Sequence, residues 1–149
     1  MSAALQRVGV AADHAGFELM EHLAGKLRTI GHQVVNFGER QPNDDFPDFV
    51  APLARAVARG EVNRGVAICG SGAGASFSAY RVIGVRGCLI HESLPVDQGV
   101  EDDDLTIICL GSLVVGRALA WELVQSFLSA GFSDPASQPL CAGGIDGAG

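Results

Sequence analysis

Basic side chains are scarce in this 149-residue sequence. Lys26 is its one lysine, and 10 Lys and Arg residues stand against 17 Asp and Glu, which gives a formal net charge of −7. Nucleic acids and acidic lipid surfaces are bound through a broad basic face, which this composition does not supply. We therefore expect no nucleic-acid partner and no membrane partner.

Long apolar runs and paired cysteines are missing as well. No run approaches the roughly 20 residues of a membrane-spanning helix, and residues 1–7 lack the apolar region and cleavage site of a signal peptide. The four cysteines, which show no C-x-x-C spacing, are Cys69, Cys88, Cys109 and Cys141. We expect a cytoplasmic protein with reduced thiols, without a zinc site, a disulfide or a cofactor.

What the sequence does contain is typical of one globular domain, since 48% of its residues are hydrophobic and 18% are charged. Apolar strands alternate with amphipathic segments, which predicts right-handed βαβ crossovers and a parallel, doubly wound sheet. The predicted strands are 7–12, 32–37, 66–68, 84–90 and 105–110, and the predicted helices include 17–29, 45–59 and 113–130. Proline and glycine after residue 132 predict an extended or disordered tail, so we expect a domain at 1–132 and a tail at 133–149.

The most informative stretch runs from Gly65 to Gly87. The strand Val66-Ala67-Ile68 leads into Cys69 and the glycine-rich turn 70–74, and a helix start follows. Glycines let the backbone approach a ligand, and the first N–H groups of a helix favour negative charge on an oxyanion, a phosphate or a thiolate. Cys69 is therefore a candidate base or nucleophile. The alternative is a small buried residue at a strand end, since cysteine is among the most buried residue types.

Ligands of parallel α/β sheets bind beyond the carboxyl ends of the strands. Besides Cys69, this rule gathers Asp13, His14, His91 and the pair Gly111-Ser112 at one edge. A carboxylate, imidazoles, a thiol and a hydroxyl beside several backbone amides are suited to moving a proton. Dinucleotide binding is the weaker interpretation, because the glycines follow the third strand and do not match G-x-G-x-x-G. Asp13 and His14 keep structural alternatives, as a helix cap and a solvated loop residue.

Several motifs together resemble the family of ribose-5-phosphate isomerase B and galactose-6-phosphate isomerase over about residues 7 to 132. They are 12–16 (ADHAG), 45–47 (DFP), 69–74 (CGSGAG), 84–86 (GVR), 110–112 (LGS) and 114–116 (VVG). The resemblance implies a Rossmann-like three-layer αβα sandwich with a five-stranded parallel sheet. It also implies aldose-ketose isomerisation without a metal, through an enediol or enediolate, in a dimer whose active sites draw residues from both chains.

The same resemblance implies roles for the residues of the site. Cys69 would move a proton between adjacent carbons, Asp13 would handle hydroxyl protons of the substrate, and His14 would bind the far end of the substrate. The developing oxyanion would be stabilised by Ser71 and by the amides of Gly70, Gly72 and Gly74.

The sequence departs from the family pattern at an acidic run. Asp102, Asp103 and Asp104 stand where the family has His-Asn-Asp, whose histidine helps to open the sugar ring. We expect Asp102 to accept a hydroxyl proton there and Asp103 to contact the substrate. The alternative is a solvated acidic turn, which is the commoner setting of three adjacent acids.

Phosphate recognition also departs from the family pattern. Val100, Leu113 and the segment 134–140 replace the arginines of the family, so binding of an ordinary pentose phosphate is in question. Tyr80 stands in place of an asparagine, and we expect Tyr80 and the adjacent Arg81 to contact the substrate. Arg81 and Arg86 are the sequence candidates for the remaining positive charge.

Three hypotheses follow from these matches and departures. The first is an isomerase, acting as a homodimer or a dimer of dimers, whose substrate is a tetrose phosphate or an unphosphorylated sugar. The second is one subunit of a hetero-oligomeric isomerase, completed by a related partner. The third is a non-catalytic sugar-binding protein. Proton exchange into a sugar separates the first two from the third.

Overall fold

Strands and helices alternate along the chain. The computed structural model describes residues 5–39, 50–72, 75, 79, 84–91, 100 and 104–130. The strands are β1 (Arg7–Ala12), β2 (Gln33–Glu39), β3 (Arg64–Cys69), β4 (Gly87–Leu89) and β5 (Ile107–Gly111), and the helices with described bounds are α1 (Phe17–Thr29), α2 (Ala51–Ala58) and α3 (Arg117–Ser129). None of the helices within these residues is long and apolar enough to cross a membrane.

The five strands form one parallel sheet in the order β2-β1-β3-β5-β4. The predicted five-stranded parallel sheet is therefore confirmed. The chain steps outward from β1 to β2 on one side and then enters β3 on the other side of β1. Such a reversal opens a crevice at the carboxyl ends of β1 and β3, where ligands bind in open α/β sheets.

Apolar residues cover both faces of the sheet. Because side chains alternate along a strand, Val10 and Ile68 pack into the core that contains α1 and α3, whereas Ala11, Ala67 and Cys109 pack into the core that contains α2. Layers of helix on both faces give the three-layer αβα sandwich that the resemblance implied, with its Rossmann-like connectivity.

The ends of α1 and β2 follow the prediction. Leu19, Leu23 and Leu27 form the buried stripe of α1. Gly31 closes this helix with φ +105°, a conformation that favours glycine. β2 then begins at Gln33, one residue later than predicted.

The predicted helix 113–130 begins four residues late, at Arg117. The N–H groups of Val114 and Val115 both donate to Gly111 O, which makes residues 112–115 a tight turn instead of a first helical turn. Leu113 and Val114 are consequently 84% and 57% exposed. Leu119 is also partly exposed, whereas Ala120 and Val124 are buried.

Two other predicted elements differ in length. β4 covers only Gly87–Leu89 of the predicted 84–90, because Gly84 adopts φ +91° and Arg86 O is taken by the N–H groups of Thr106 and Ile107. α2 is described from Ala51 onward, and the predicted helix start at 45–49 lies outside the described residues.

Arg64 ties the end of α3 to the start of β3. Its guanidinium donates to Phe127 O and Ala130 O, which are carbonyls of the last turn and end of that helix. Burial lowers the pKa of Arg64, and the charge of Asp104 acts in the opposite direction. This junction belongs to the amino-terminal edge of the sheet, opposite the candidate site.

Candidate active site

The candidate site begins where β1 and β3 end side by side. Ala12 pairs with Ile68 in the parallel register, and Asp13 N donates to Ile68 O at 3.2 Å. Ala11 and Ala67 face the same core, so the alternation places Asp13 and Cys69, two residues further on, at facing positions. The structure thus places Asp13 and Cys69 at the ends of neighbouring strands, as the rule for strand ends predicted.

The thiol of Cys69 is held by the glycine turn that follows it. Cys69 is 3% exposed, and its Sγ accepts a hydrogen bond from Gly72 N at 3.0 Å. Gly72 has φ +86°, and a Cβ there would overlap the Leu89 side chain, so glycine is required on both counts. This hydrogen bond fixes the position of the sulfur at the start of the turn.

The β1–α1 turn is fixed by Asp13 itself. Asp13 Oδ1 accepts from Gly16 N at 2.9 Å. Asp13 therefore braces the turn before α1, and its catalytic role stays a prediction. His14 lies exposed in the same turn, at the edge where it was predicted.

The β5–α3 turn joins the other loops of this edge. Ser112 N donates to Cys69 O at 2.8 Å, and Leu113 N donates to Gly70 O at 3.0 Å. Ser112 Oγ donates to Ala15 O at 2.8 Å, which connects the thiol loop to the β1–α1 turn. The sequence placed Ser112 at this edge from the rule for strand ends, but nothing in it indicated these contacts.

His91 follows β4 and also reaches the site. Its Nε2 accepts a hydrogen bond from Gly111 N at 3.3 Å, and Gly111 is the register partner of Cys69. Sequence reasoning placed His91 at this edge without a role. Its contact depends on β5 lying between β3 and β4, which the sequence did not reveal.

Five of the predicted site residues lie outside the described residues: Gly74, Tyr80, Arg81, Asp102 and Asp103. The described neighbour Asp104 has φ +51° and lies 3.9 Å from the guanidinium of Arg86, before β5 and β4 begin. Arg86 is therefore at the amino-terminal edge of its own chain, and its contribution of charge to a site stays a prediction.

Charges and thiols near the site are unevenly placed. Among the described Lys and Arg residues, Arg117 is the one at the carboxyl edge, as the first residue of α3, and it is exposed.

Burial raises the pKa of the Cys109 thiol, and the neighbouring thiols of Cys69 and Cys88 raise it further. The described part of the chain contains no cluster of three or more His, Cys, Asp or Glu that could hold a metal ion.

Comparison with known proteins decides the family. The model of the ribose/galactose isomerase family matches residues 8–141. This chain belongs to that family. The resemblance inferred from its motifs is confirmed, and this member of the ribose/galactose isomerase family is an aldose-ketose isomerase whose substrate its relatives leave open.

Relatives of this family member carry different substrate names. It is 33% identical over 135 residues to the D-erythrulose-4-phosphate isomerase 2 of Mycolicibacterium smegmatis, covering 88% of each chain. It is 32% identical over 127 residues to the ribose-5-phosphate isomerase B of Escherichia coli, covering 85% of each chain. The ribose-5-phosphate isomerase B structure from Clostridium thermocellum superposes with a TM-score of 0.82 at 36% identity, covering 86% of this chain and 87% of that one.

Proposed function

We propose that this isomerase interconverts a four-carbon aldose phosphate and its ketose through an enediol or enediolate, without a metal, with Cys69 as the base. The observation that carries the proposal is the Cys69 sulfur, which accepts a hydrogen bond from the Gly72 amide at 3.0 Å, at the end of the strand that pairs with β1 just before Asp13. A thiolate beside a carboxylate supplies the two proton transfers that the reaction requires.

In the proposed step, the Cys69 thiolate takes the proton from the carbon next to the carbonyl. The C–H electron pair becomes the C=C bond of the enediolate, and the carbonyl oxygen takes the negative charge. The thiol then returns the proton to the neighbouring carbon. Asp13 moves the hydroxyl proton between the two oxygens with the carboxylate oxygen that Gly16 N does not occupy.

The amides after Cys69 divide into two tasks in this proposal. Gly72 N donates to the sulfur, so we assign it to the thiolate. We assign the oxyanion to Ser71 and to the amides of Gly70 and Gly74, because preorganised donors are most effective there. Chemistry of this kind needs no Lewis acid, so we expect full activity after treatment with a chelator.

A four-carbon substrate fits the departures of this sequence. A tetrose esterified at its terminal oxygen cannot close a furanose ring, so it does not need the ring-opening histidine that Asp102 replaces. One relative is named for erythrulose 4-phosphate, and this chain covers 88% of its length. We propose that His14 and Arg117, both exposed at the carboxyl edge, bind the far end of the substrate, and that Tyr80, Arg81 and Asp103 also contact the substrate.

We also propose that a second copy of the chain completes each site. Asp104 lies before β5, whereas Cys69 pairs with Gly111 at the end of β5, a separation of at least about 13 Å along the strand. The acidic run 102–104 therefore serves a thiol site more readily from a neighbouring copy than from its own chain. In the proposed homodimer, Asp102 of one copy carries out its expected catalytic role in the site of the other copy.

The test is isotope exchange in deuterated water, with tetroses, pentoses and their phosphates. The wild-type protein should incorporate deuterium at C1 or C2 of a tetrose phosphate, and Cys69→Ala should lower kcat by at least about 100-fold, since the base is removed. Cys109→Ala is the matched control, because Cys109 is buried two register positions away and should leave kcat unchanged.

Other outcomes of this experiment identify the competing hypotheses. Tight sugar binding without deuterium uptake would show a non-catalytic binder. Activity that appears only after a related second protein is added would show a hetero-oligomer. Uptake that persists unchanged in Cys69→Ala would rule out the thiol mechanism.

A further inference from the structure

His91 lies within the same cluster of contacts as the Cys69 thiol. Gly72 N donates to Cys69 Sγ at 3.0 Å, and a Cβ on Gly72 would lie 3.0 Å from Gly111 N. Gly111 N in turn donates to His91 Nε2 at 3.3 Å. The imidazole therefore stands one backbone amide beyond the turn that holds the sulfur, and it is only half-buried.

The contact with Gly111 determines where the ring proton is. A backbone N–H can only donate, so Nε2 presents its lone pair to Gly111 N and carries no proton. The neutral ring then has its proton on Nδ1. With Nε2 engaged by Gly111 N, Nδ1 is the ring nitrogen that can donate to a ligand.

We propose that His91 is a further catalytic residue, which donates a hydrogen bond from Nδ1 to a substrate oxygen while Cys69 moves the carbon-bound proton. This proposal rests on the proposed isomerase function. A neutral imidazole is a suitable donor to an oxygen that gains negative charge in the transition state. Its N–H group stabilises that charge without placing a full positive charge in the site.

A purely structural role for His91 is the competing explanation. Ile90 N donates to Cys109 O just beyond the end of β4. The next hydrogen bond between this end of β4 and β5 runs from Gly111 N to the imidazole of His91. On that explanation His91 only supplies an acceptor for a strand end, and any acceptor at the same position would suffice.

Two substitutions separate the donor from the acceptor. In His91→Gln the amide oxygen is as many bonds from Cβ as Nε2, so the acceptor for Gly111 N is kept and the Nδ1 donor is lost. In His91→Asn the amide nitrogen is as many bonds from Cβ as Nδ1, so the donor is kept and the acceptor is lost. His91→Gln should therefore keep the wild-type Tm, and His91→Asn should lower it.

Steady-state kinetics on the best tetrose or pentose phosphate give the result. The proposal expects kcat of His91→Gln to fall at least about tenfold below wild type with KM little changed. It also expects kcat of His91→Asn to be higher than kcat of His91→Gln. If His91→Gln is as active as wild type, or more active than His91→Asn, the donor role is refuted.

Failure of the isomerase proposal itself is recognised separately. In that case wild type and Cys69→Ala show equal deuterium exchange, or none. The probe is then a hydroxamate analogue of a tetrose phosphate, followed by the ¹⁵N resonances of the imidazole. A wild-type Nδ1–H signal that shifts on titration supports His91 as a ligand donor. An Nε2–H tautomer, or a ring signal that the analogue leaves unmoved, overturns the proposal.

Discussion

Gly16 sets the distance between the β1–α1 turn and the thiol strand. A Cβ on this residue would lie 2.5 Å from Ile68 O, which is backbone and cannot move aside cheaply. Gly16 N also holds Asp13 Oδ1, so a displacement here would move the carboxylate that faces Cys69. The position requires glycine because of space, since its φ of −96° suits any residue.

Gly16→Ala should therefore destabilise the protein by about 1–3 kcal/mol through overpacking, and it should lower kcat more than it raises KM. Gly25→Ala is the matched control, because a Cβ at Gly25 has nothing within 4 Å in the middle of α1. That change should stabilise the protein by about 0.5–1 kcal/mol at unchanged kcat. Urea unfolding and steady-state kinetics measure both, and equal effects of the two variants would contradict this explanation.

At the scale of residues, the sequence predicted the thiol site better than the imidazole site. The environment of Cys69 is local, because the strand, the thiol and the turn of Gly70 and Gly72 are consecutive. The contact of His91 with Gly111 is not local, because it requires β4 and β5 to be neighbours in the folded sheet. Single-sequence patterns therefore indicate a strand-to-helix turn but not a contact between separate loops.

The β5–α3 turn is the element that joins the loops of the site. Its Ser112 binds Cys69 O through the backbone and Ala15 O through the hydroxyl, each at 2.8 Å. A Cβ on Gly111 would lie 2.5 Å from Ser71 O, so the turn and the thiol loop are in direct contact. The predicted helix start at 113 was wrong because these contacts take up the residues before Arg117.

Ser112→Ala removes the hydroxyl bond and keeps the backbone bond. We expect a loss of about 0.5–1 kcal/mol in the free energy of unfolding, since the bond is solvent-exposed, and a several-fold lower kcat because the Asp13 turn loses its tie to the Cys69 loop. Ser112→Thr, which keeps the hydroxyl, should restore most of kcat. Wild-type kcat in Ser112→Ala would show that the backbone bonds alone position the site.

At the scale of the whole molecule, the described cations lie mainly at one edge of the sheet. Arg7 and Arg64 begin β1 and β3 at the amino-terminal edge, Arg86 comes directly before β4, and α1 ends there with Lys26 and Arg28. The carboxyl edge holds the thiol site and, among the described cations, Arg117. Composition predicted the acidic total but not this division, because it follows from where each strand starts. The domain boundary at 132 stays a prediction, and the family match continues to residue 141.

Shared sites between two copies can be tested by mixing inactive variants. Cys69→Ala removes the base, and Asp102→Asn removes the carboxylate expected to accept a hydroxyl proton of the substrate in the neighbouring copy, so with a substrate that needs both groups each variant should be inactive as a homodimer. After unfolding and refolding as an equal mixture, roughly a quarter of wild-type activity should return, because half of the dimers are mixed and each of these has one intact site. No recovery in a mixture that refolds to dimers would show that each chain completes its own site.

The position of β5 has a consequence for how the enzyme is made. Among the described strands β5 comes last in the chain, yet it lies between β3 and β4, and within this set β4 pairs with β5 alone. A growing polypeptide that has left the ribosome only as far as β4 has no place in the sheet for that strand. Isomerase activity in a translation reaction should then arise in one late step, after residue 112 has emerged.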